Sequence, residues 1–328
     1  MSERHRNERG AALVTVLMIV AVMSAVALGL SQAVLASTER ARALDAQAQL
    51  RLYAVSAEEV AQSQLTALAL ETGGRLSDDL PGFGERQVFP VEGGAVSVRV
   101  RDLTNCFNIN AAMSDADQQT EGKADSESLI QILEGAGLSQ SDAANLEASL
   151  ADWMDEDRIS RPGGAEDAYY LGQTPSYRTS SQPLANLSEL FAIRGFDQEI
   201  LVELEPILCA LPEHTAESSP ALNLNTLKPE HATRLKWALS GALEDNEARS
   251  LILSRPLGGW PDVETFLEDP LIARIAPEQR RMDRLSVVSS LLETTVEVSY
   301  RDEVMRMRLL FELEPGQLVR VLRRERIG

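Results

Sequence analysis

Gly10-Ala-Ala-Leu-Val-Thr-Val-Leu-Met-Ile-Val-Ala-Val-Met-Ser-Ala-Val-Ala-Leu-Gly-Leu-Ser-Gln-Ala-Val-Leu-Ala-Ser-Thr38 contains no charged side chain. A run of this length exceeds the ~18 apolar residues that mark a membrane-spanning helix. Arg4, Arg6 and Arg9 stand just before it. Basic residues on that flank hold the leader Met1–Gly10 on the cytoplasmic side and send everything after Thr38 outward. The small pair Gly10-Ala11 also precedes the apolar run. An ordinary secretory signal has its small-residue cleavage site behind the apolar core. Cutting between Gly10 and Ala11 would instead leave the helix on the mature chain. Two plainer readings stay open at this point: an uncut signal anchor, and a secretory leader cut near Ala33-Val-Leu-Ala36.

Working outward, the helical pattern does not stop at the membrane boundary. Leu44, Ala48, Leu52, Val55, Val60, Leu65 and Leu68 recur among Glu, Arg and Gln at roughly helical spacing. No Gly or Pro intervenes until Gly73-Gly74, which is a helix stop. The pattern predicts one long helix over 11–72, with about 11–36 in the bilayer and the rest laid on a soluble head. Gly73–Gly94 is rich in Gly, Pro and Asp and reads as a loop. Ala95–Leu103 alternates apolar and polar residues, as a half-buried strand does. Strand alternation returns in Leu292–Tyr300, Val304–Leu313 and Leu318–Leu322. The turns between them, Arg301–Glu303 and Glu314–Gln317, are short enough for hairpins.

Helical segments separate these strands. Asp125–Leu133, Ser139–Met154, Asn186–Phe196 and Glu199–Leu211 form one group, with Ser139 an N-cap and Pro206 a divider. Pro229–Leu243, Asn246–Leu253 and Asp262–Leu267 form another. Their joints, Arg194-Gly-Phe196 and Leu257-Gly-Gly-Trp-Pro261, resemble helix-hairpin-helix or SAM-like units. Thr104-Asn-Cys-Phe-Asn-Ile-Asn110 has a near echo in Ala221-Leu-Asn-Leu-Asn-Thr226. The pair reads as the two edges of an insert. The division is therefore a leader, 1–10; a long helix, 11–72; first head strands, 73–110; an inserted helical domain, 111–219; a strand plus a second helical segment, 220–285; and final antiparallel strands, 286–328. Within the insert, Ala111–Lys123 is polar and loop-like.

Composition limits what the chain can do. Its 328 residues are 44% hydrophobic but only 5% aromatic, enough for a core of Leu, Val and Ala. A formal charge of −19 argues against nucleic acid, whose phosphates require a basic surface. It suits binding to cations or to basic partners. Cys106 and Cys209, the two cysteines, stand near the insert's edges. In an oxidising compartment a disulfide is the leading reading, with two buried free thiols as the alternative.

Asp152-Trp-Met-Asp155-Glu-Asp157 and Gly163-Gly-Ala-Glu166-Asp167-Ala-Tyr-Tyr170 gather carboxylates in a Gly- and Pro-containing stretch. Calcium takes 6–8 oxygen ligands in flexible geometry, so an irregular acidic loop suits it. The spacing is not that of an EF-hand. The loop offers neither His nor Cys, which disfavours zinc. A solvated acidic loop and a paired-carboxylate acid/base site are the competing readings. No Gly-rich phosphate loop, nucleophile elbow or His-centred triad is present, and the only histidines are His5, His214 and His231.

Taken together, the Gly10-Ala11 junction, the Trp-Asp loop, the Gly-Ala-Glu-Asp-x-Tyr-Tyr phrase, Ser188-Glu-Leu190 with Arg194-Gly195, and Leu222-Asn-Leu-Asn-Thr226 resemble the GspK minor pseudopilins of type II secretion. The likeness spans nearly the whole chain. It implies an α+β pilin fold, a long and partly transmembrane N-terminal helix on an antiparallel sheet, with a large all-helical insert of SAM-like or helix-hairpin-helix type. It also implies cleavage by prepilin peptidase after Gly10 and methylation of Ala11. Most pilins carry Glu at the fifth mature position. Here Thr15 stands there, which suits a subunit with no neighbour above it, because a carboxylate in apolar surroundings needs a partner. The resemblance further implies a single-pass protein of the bacterial inner membrane with its bulk in the periplasm. Its partners would be GspI- and GspJ-type minor pseudopilins, the major pseudopilin and the inner-membrane assembly platform. Assembly would run through Leu44, Leu52 and Val55, and calcium would be held among Asp152, Asp155, Asp157, Glu166 and Asp167. The expected role is to cap the pseudopilus tip and start its assembly, with no enzymatic activity. The other functional readings are a membrane-anchored, metal-dependent periplasmic hydrolase using the acidic loop, and a type IV pilus tip pilin.

Overall fold

Helix α1 runs without a break from Arg4 to Thr72. The computed structural model describes residues 4–114, 129–211, 221–313, 316 and 318–327, with the backbone alone for 4–13 and 114. Gly10 and Ala11 thus lie outside the residues whose side chains are described. The helix ends as its sequence demands: the Gly74 N–H reaches back to the Ala69 carbonyl at 2.9 Å, and Gly74 takes φ +78°, which a side chain would resist.

Against the outer half of α1 lies a five-stranded antiparallel sheet in the order β1-β2-β7-β8-β9. Its strands are β1 (Gln87–Val91), β2 (Gly94–Asp102), β7 (Leu291–Tyr300), β8 (Glu303–Glu312) and β9 (Arg320–Ile327). Leu50, Ala54, Ala61, Leu65 and Ala69 of the helix pack on Val96, Leu292, Val296, Val298, Met305, Leu309 and Phe311. Three alanines in that face let the helix approach the sheet closely. Glu58, 8% exposed on the same face, is held by the Arg324 guanidinium at 2.6–2.9 Å. The apolar positions of the helix therefore divide into two stripes. Leu65 enters the core, while Leu44, Leu52, Val55 and Val60 face outward.

The stretch 73–94 is not only loop, because β1 occupies Gln87–Val91 and joins β2 by a turn at Glu92-Gly93. β1 is an edge strand with nearly all its residues exposed, so it lacks apolar alternation, and Pro90 is tolerated only on such an edge.

Between β2 and β7, neighbours in the sheet, the chain leaves for two helical units. The first begins at β3 (Phe107–Asn108), which pairs in parallel with β4 (Leu208–Cys209). It includes α2 (Ile109–Ser114), α3 (129–135), α4 (Gln140–Met154), α5 (Asp167–Tyr170) and α6 (Gln198–Leu204). The second begins at β5 (Leu222–Asn223), parallel to β6 (Leu285–Ser286), and encloses helices Ala232–Ala238 and Asp245–Leu253.

The expected strand over 221–226 is thus a two-residue bridge inside the helical region. Among the described residues no pairing joins it to the head sheet. Ala111 belongs to a helix rather than to a polar loop, and Ala111 and Ala112 are both buried. Residues 115–128 and 212–220, which include the rest of that polar stretch, His214 and the expected insert end at 219, lie outside the described residues. Asn186–Phe196 forms a 3-10 helix, Leu187–Ala192, rather than an α-helix. Glu199–Leu211 stops at Leu204, before Pro206, and finishes as β4.

Each unit opens with the same device. Asn108 Oδ1 accepts from the Asn110 N–H at 3.3 Å, and Asn223 Oδ1 accepts from the Asn225 N–H at 3.0 Å. The second Asn of each pair then clamps a distant loop. Asn110 exchanges two bonds with the Leu184 backbone at 2.9 Å, and Asn225 does so with Trp260 at 2.7 and 2.9 Å. All four Asn side chains are buried. At the neck, Asn105 and Asn223 exchange bonds at 2.8 Å, and Cys106 is bonded to Cys209 with Cα atoms 5.7 Å apart.

Candidate metal centre and the exposed spine

α4 starts where Ser139 accepts the Asp142 N–H at 3.2 Å and runs into the acidic stretch. Its apolar face, Ala143, Leu146, Leu150, Trp153 and Met154, packs into the core of the first unit. Asp152 is fully buried at the end of that helix. Its carboxylate accepts from the Ser160 hydroxyl at 3.1 Å and from the Arg161 N–H at 3.1–3.2 Å. Asp152 therefore folds the loop back over its own helix. Gly164 is needed where the loop passes: a Cβ there would lie 2.2 Å from Asp152 Oδ2.

The returning chain forms α5, for which Glu166 is the N-cap, with Oε2 accepting from the Asp167 N–H at 3.2 Å. Glu166 Oε1 is buried and has no hydrogen-bond partner among the described residues. Asp155, Asp157 and Glu166 offer carboxylate oxygens that lie within 4.8 Å of one another. Desolvation raises the Glu166 carboxyl above its ordinary range, and the nearby charges of Asp155, Asp152 and Asp157 add to this. In its charged form such a group is costly unless a cation meets it.

Of the five expected carboxylates, the fold brings three together. Asp152 is held by loop donors. Asp167 is held by Arg178 at 2.6 Å and by the Thr179 N–H and hydroxyl at 3.2 Å. Desolvation acts upward on the Asp167 carboxyl, but these bonds outweigh it and keep the group below its ordinary range. Sequence reading did not single out Ser160, Arg161, Arg178 or Thr179, all of which shape the site. The partnerless Glu166 Oε1 fits a hard cation better than a water-exposed acidic loop does. Around the site, Trp153, Tyr170 and Tyr177 pack with ring centroids 5.1–6.2 Å apart.

The second feature is α1 itself. From Val14 to Leu35 its large apolar side chains are more than half exposed, and Leu44 is 67%, Leu52 58% and Val55 52% exposed. Thr15 lies in this apolar stretch. Among the described residues this is the one helix long and apolar enough to cross a membrane. The head covers only the face that carries Leu50, Ala54, Ala61 and Leu65.

Comparison with known proteins now bears on both features. Family models described as type II secretion system (T2SS), protein K match residues 105–213 and 222–287. Type II secretion system protein K of Klebsiella pneumoniae is 32% identical over 273 residues, covering 82% of each chain. The chain belongs to the type II secretion system protein K family. The protein K of Aeromonas hydrophila is 30% identical over 329 residues, 97% of each chain. Among solved structures, the crystal structure of the GspK-GspI-GspJ complex from enterotoxigenic Escherichia coli contains a chain with TM-score 0.74 and 28% identity. That match covers 88% of this chain and 99% of the other. The two protein K matches begin and end close to the two Asn-framed units. The chain is thus a minor pseudopilin of type II secretion, with an α+β pilin fold and an inserted helical region.

Proposed function

We propose that this protein K caps the periplasmic pseudopilus at its tip and helps to start its assembly, as a structural subunit without catalytic activity. The observation that carries the reading is the division of α1. One face is covered by the head, while Leu44, Leu52 and Val55 form an outward apolar stripe continuous with the membrane segment. Helices with such stripes associate side by side, because the buried apolar area is the driving force. The helical units are joined to the end of the sheet reached by the outer end of α1: Ser289 donates to the Gly74 carbonyl at 2.9 Å just after the helix ends. A bulk of this size above the spine would leave no room for a further subunit. The relative solved with GspI and GspJ supports partners of those two types, with the major pseudopilin and the inner-membrane platform beneath them.

Prepilin peptidase would cut between Gly10 and Ala11 and methylate Ala11. This leaves a single-pass inner-membrane protein with its bulk in the periplasm, and Thr15 where a filament subunit would need a carboxylate. Calcium would be held by Asp155, Asp157 and Glu166, neutralising their repulsion and ordering the loop. No bond-breaking role is assigned to it.

The deciding experiment mixes the chain with GspI- and GspJ-type subunits and measures the mass of the complex. A one-to-one-to-one assembly is expected, lost in Leu52→Asp and Val55→Asp variants that keep their melting curve. Labelled copies spread along filaments, rather than at one end, would refute the cap. Mass spectrometry of the mature terminus tests the processing step, where methylated Ala11 is expected and a terminus near Ser37 would overturn it.

A further inference from the structure

The second helical unit carries a hairpin, Arg255-Pro-Leu-Gly-Gly-Trp-Pro261, that meets the end of the spine helix. Gly258 and Gly259 have φ of +81° and +79°, where a side chain would be strained, and the N–H groups of the turn go to three separate acceptors. The Gly258 N–H donates to Asp79 Oδ2 at 2.6 Å, the Gly259 N–H to the Pro256 carbonyl at 2.9 Å and the Trp260 N–H to Asn225 Oδ1 at 2.7 Å.

Asp79 belongs to the turn that follows α1, and that whole turn is fitted to the hairpin. Arg75 Nη1 donates to the Pro261 carbonyl at 3.3 Å, the Asp78 N–H donates to the Asn225 carbonyl at 3.1 Å, and the Asp78 carboxylate lies 3.8 Å from Arg255 Nη2. Arg255 in turn donates to the Leu227 carbonyl at 2.9 Å and so ties the hairpin to its own unit. The Ser77 hydroxyl bonds to Asp79, and Leu76 beside it is buried. Gly259 cannot carry a side chain, because a Cβ would meet Asn225 at 2.4 Å.

We propose that the contact of Asp79 and its turn with this hairpin is a latch that fixes the second helical unit to the outer end of the spine helix. The unit then takes its orientation from the helix, and a displacement of the spine is carried into the head without slack.

The test uses the full chain in detergent. Hydrogen exchange is measured over 254–261, and the distance between spin labels at Glu59→Cys and Arg249→Cys is measured in the same background. A hydrogen bond to a charged acceptor contributes enough that Asp79→Ala should speed exchange at Gly258 roughly tenfold or more. The spin-label distance distribution should broaden. Asp79→Asn keeps an acceptor oxygen but no charge, so it should give an intermediate effect. Ser77→Ala keeps the carboxylate and should give the smallest, which also covers the case in which Asp79→Ala fails to fold. Exchange and distances in Asp79→Ala or Asp79→Asn equal to the unsubstituted protein would overturn the latch.

Discussion

The two helical units share one plan and differ in what holds them shut. Each starts with an Asn-apolar-Asn strand, returns by a parallel two-residue partner and clamps a loop through its second Asn. The first adds a disulfide at its neck and a carboxylate cluster at the end of α4. The second has neither, and relies on Asn225, the buried His231 and the contact with Asp79. The difference teaches that the Asn frame is common to both units, while the closures added to it differ. The bridge and the acidic loop serve a unit that must stay closed around a longer chain.

Removing the bridge should separate the two units most. It joins residues 103 apart, and closing a loop of that length is worth about 4.7 kcal/mol in the chain-entropy model. Cys106→Ala with Cys209→Ala should lower the unfolding free energy measured by denaturant titration by an amount of that order. Exchange protection should fall in 107–211 before it falls in 222–287. Equal loss in both units would mean that they unfold as one body.

Acid should act from the side of the second unit. His231 is buried, and its Nδ1 accepts the Lys228 N–H at 3.0 Å. Desolvation pushes its pKa down to about 4, Arg234 and Lys228 push the same way, and the Pro206 carbonyl and Asp102 oppose them. With the folded value below the unfolded one, the unfolded chain binds the proton first. Stability from this group is complete above pH ~6.5 and is lost as pH falls toward 4, by roughly 3 kcal/mol. His231→Gln should flatten that part of a melting temperature against pH profile. An unchanged slope would show that carboxylates elsewhere dominate.

Calcium, if held as proposed, should act on the first unit alone. At a free concentration one hundred times Kd, it should stabilise the folded state by about 2.7 kcal/mol. A chelator should remove that gain, and Asp155→Ala with Glu166→Ala should abolish the response. A melting curve that ignores chelator would leave the cluster a solvated acidic loop.

The smallest contrast lies between Asn110→Ala and Asn225→Ala. Each leaves buried backbone groups unpaired, at about 1–3 kcal/mol. Asn110 should cost more, because it also donates to the Leu211 carbonyl at 2.9 Å. Denaturant titration of the two variants would rank them.

Much of the architecture was legible locally. The charge-free run 10–38, the Gly73-Gly74 stop, the Ser139 cap and the three final strands are signals that a few neighbouring residues complete. The acidic loop could be found by composition. Which of its carboxylates face one another could not, because Ser160, Arg161, Arg178 and Thr179 reach Asp152 and Asp167 only once the chain folds back. β1 was missed because an exposed edge strand has no apolar alternation to read. The sequence by itself determined a helix long and apolar enough to cross a membrane, an antiparallel head, an acidic balance and the repeated Asn phrases, since periodicity and charge are local properties. Tertiary structure alone decided which stripe of α1 meets the head, that both helical units leave between adjacent strands, and that Asp79 bonds to the hairpin. Those depend on contacts between residues far apart in the chain, whose pairing is set by the packing of the whole core.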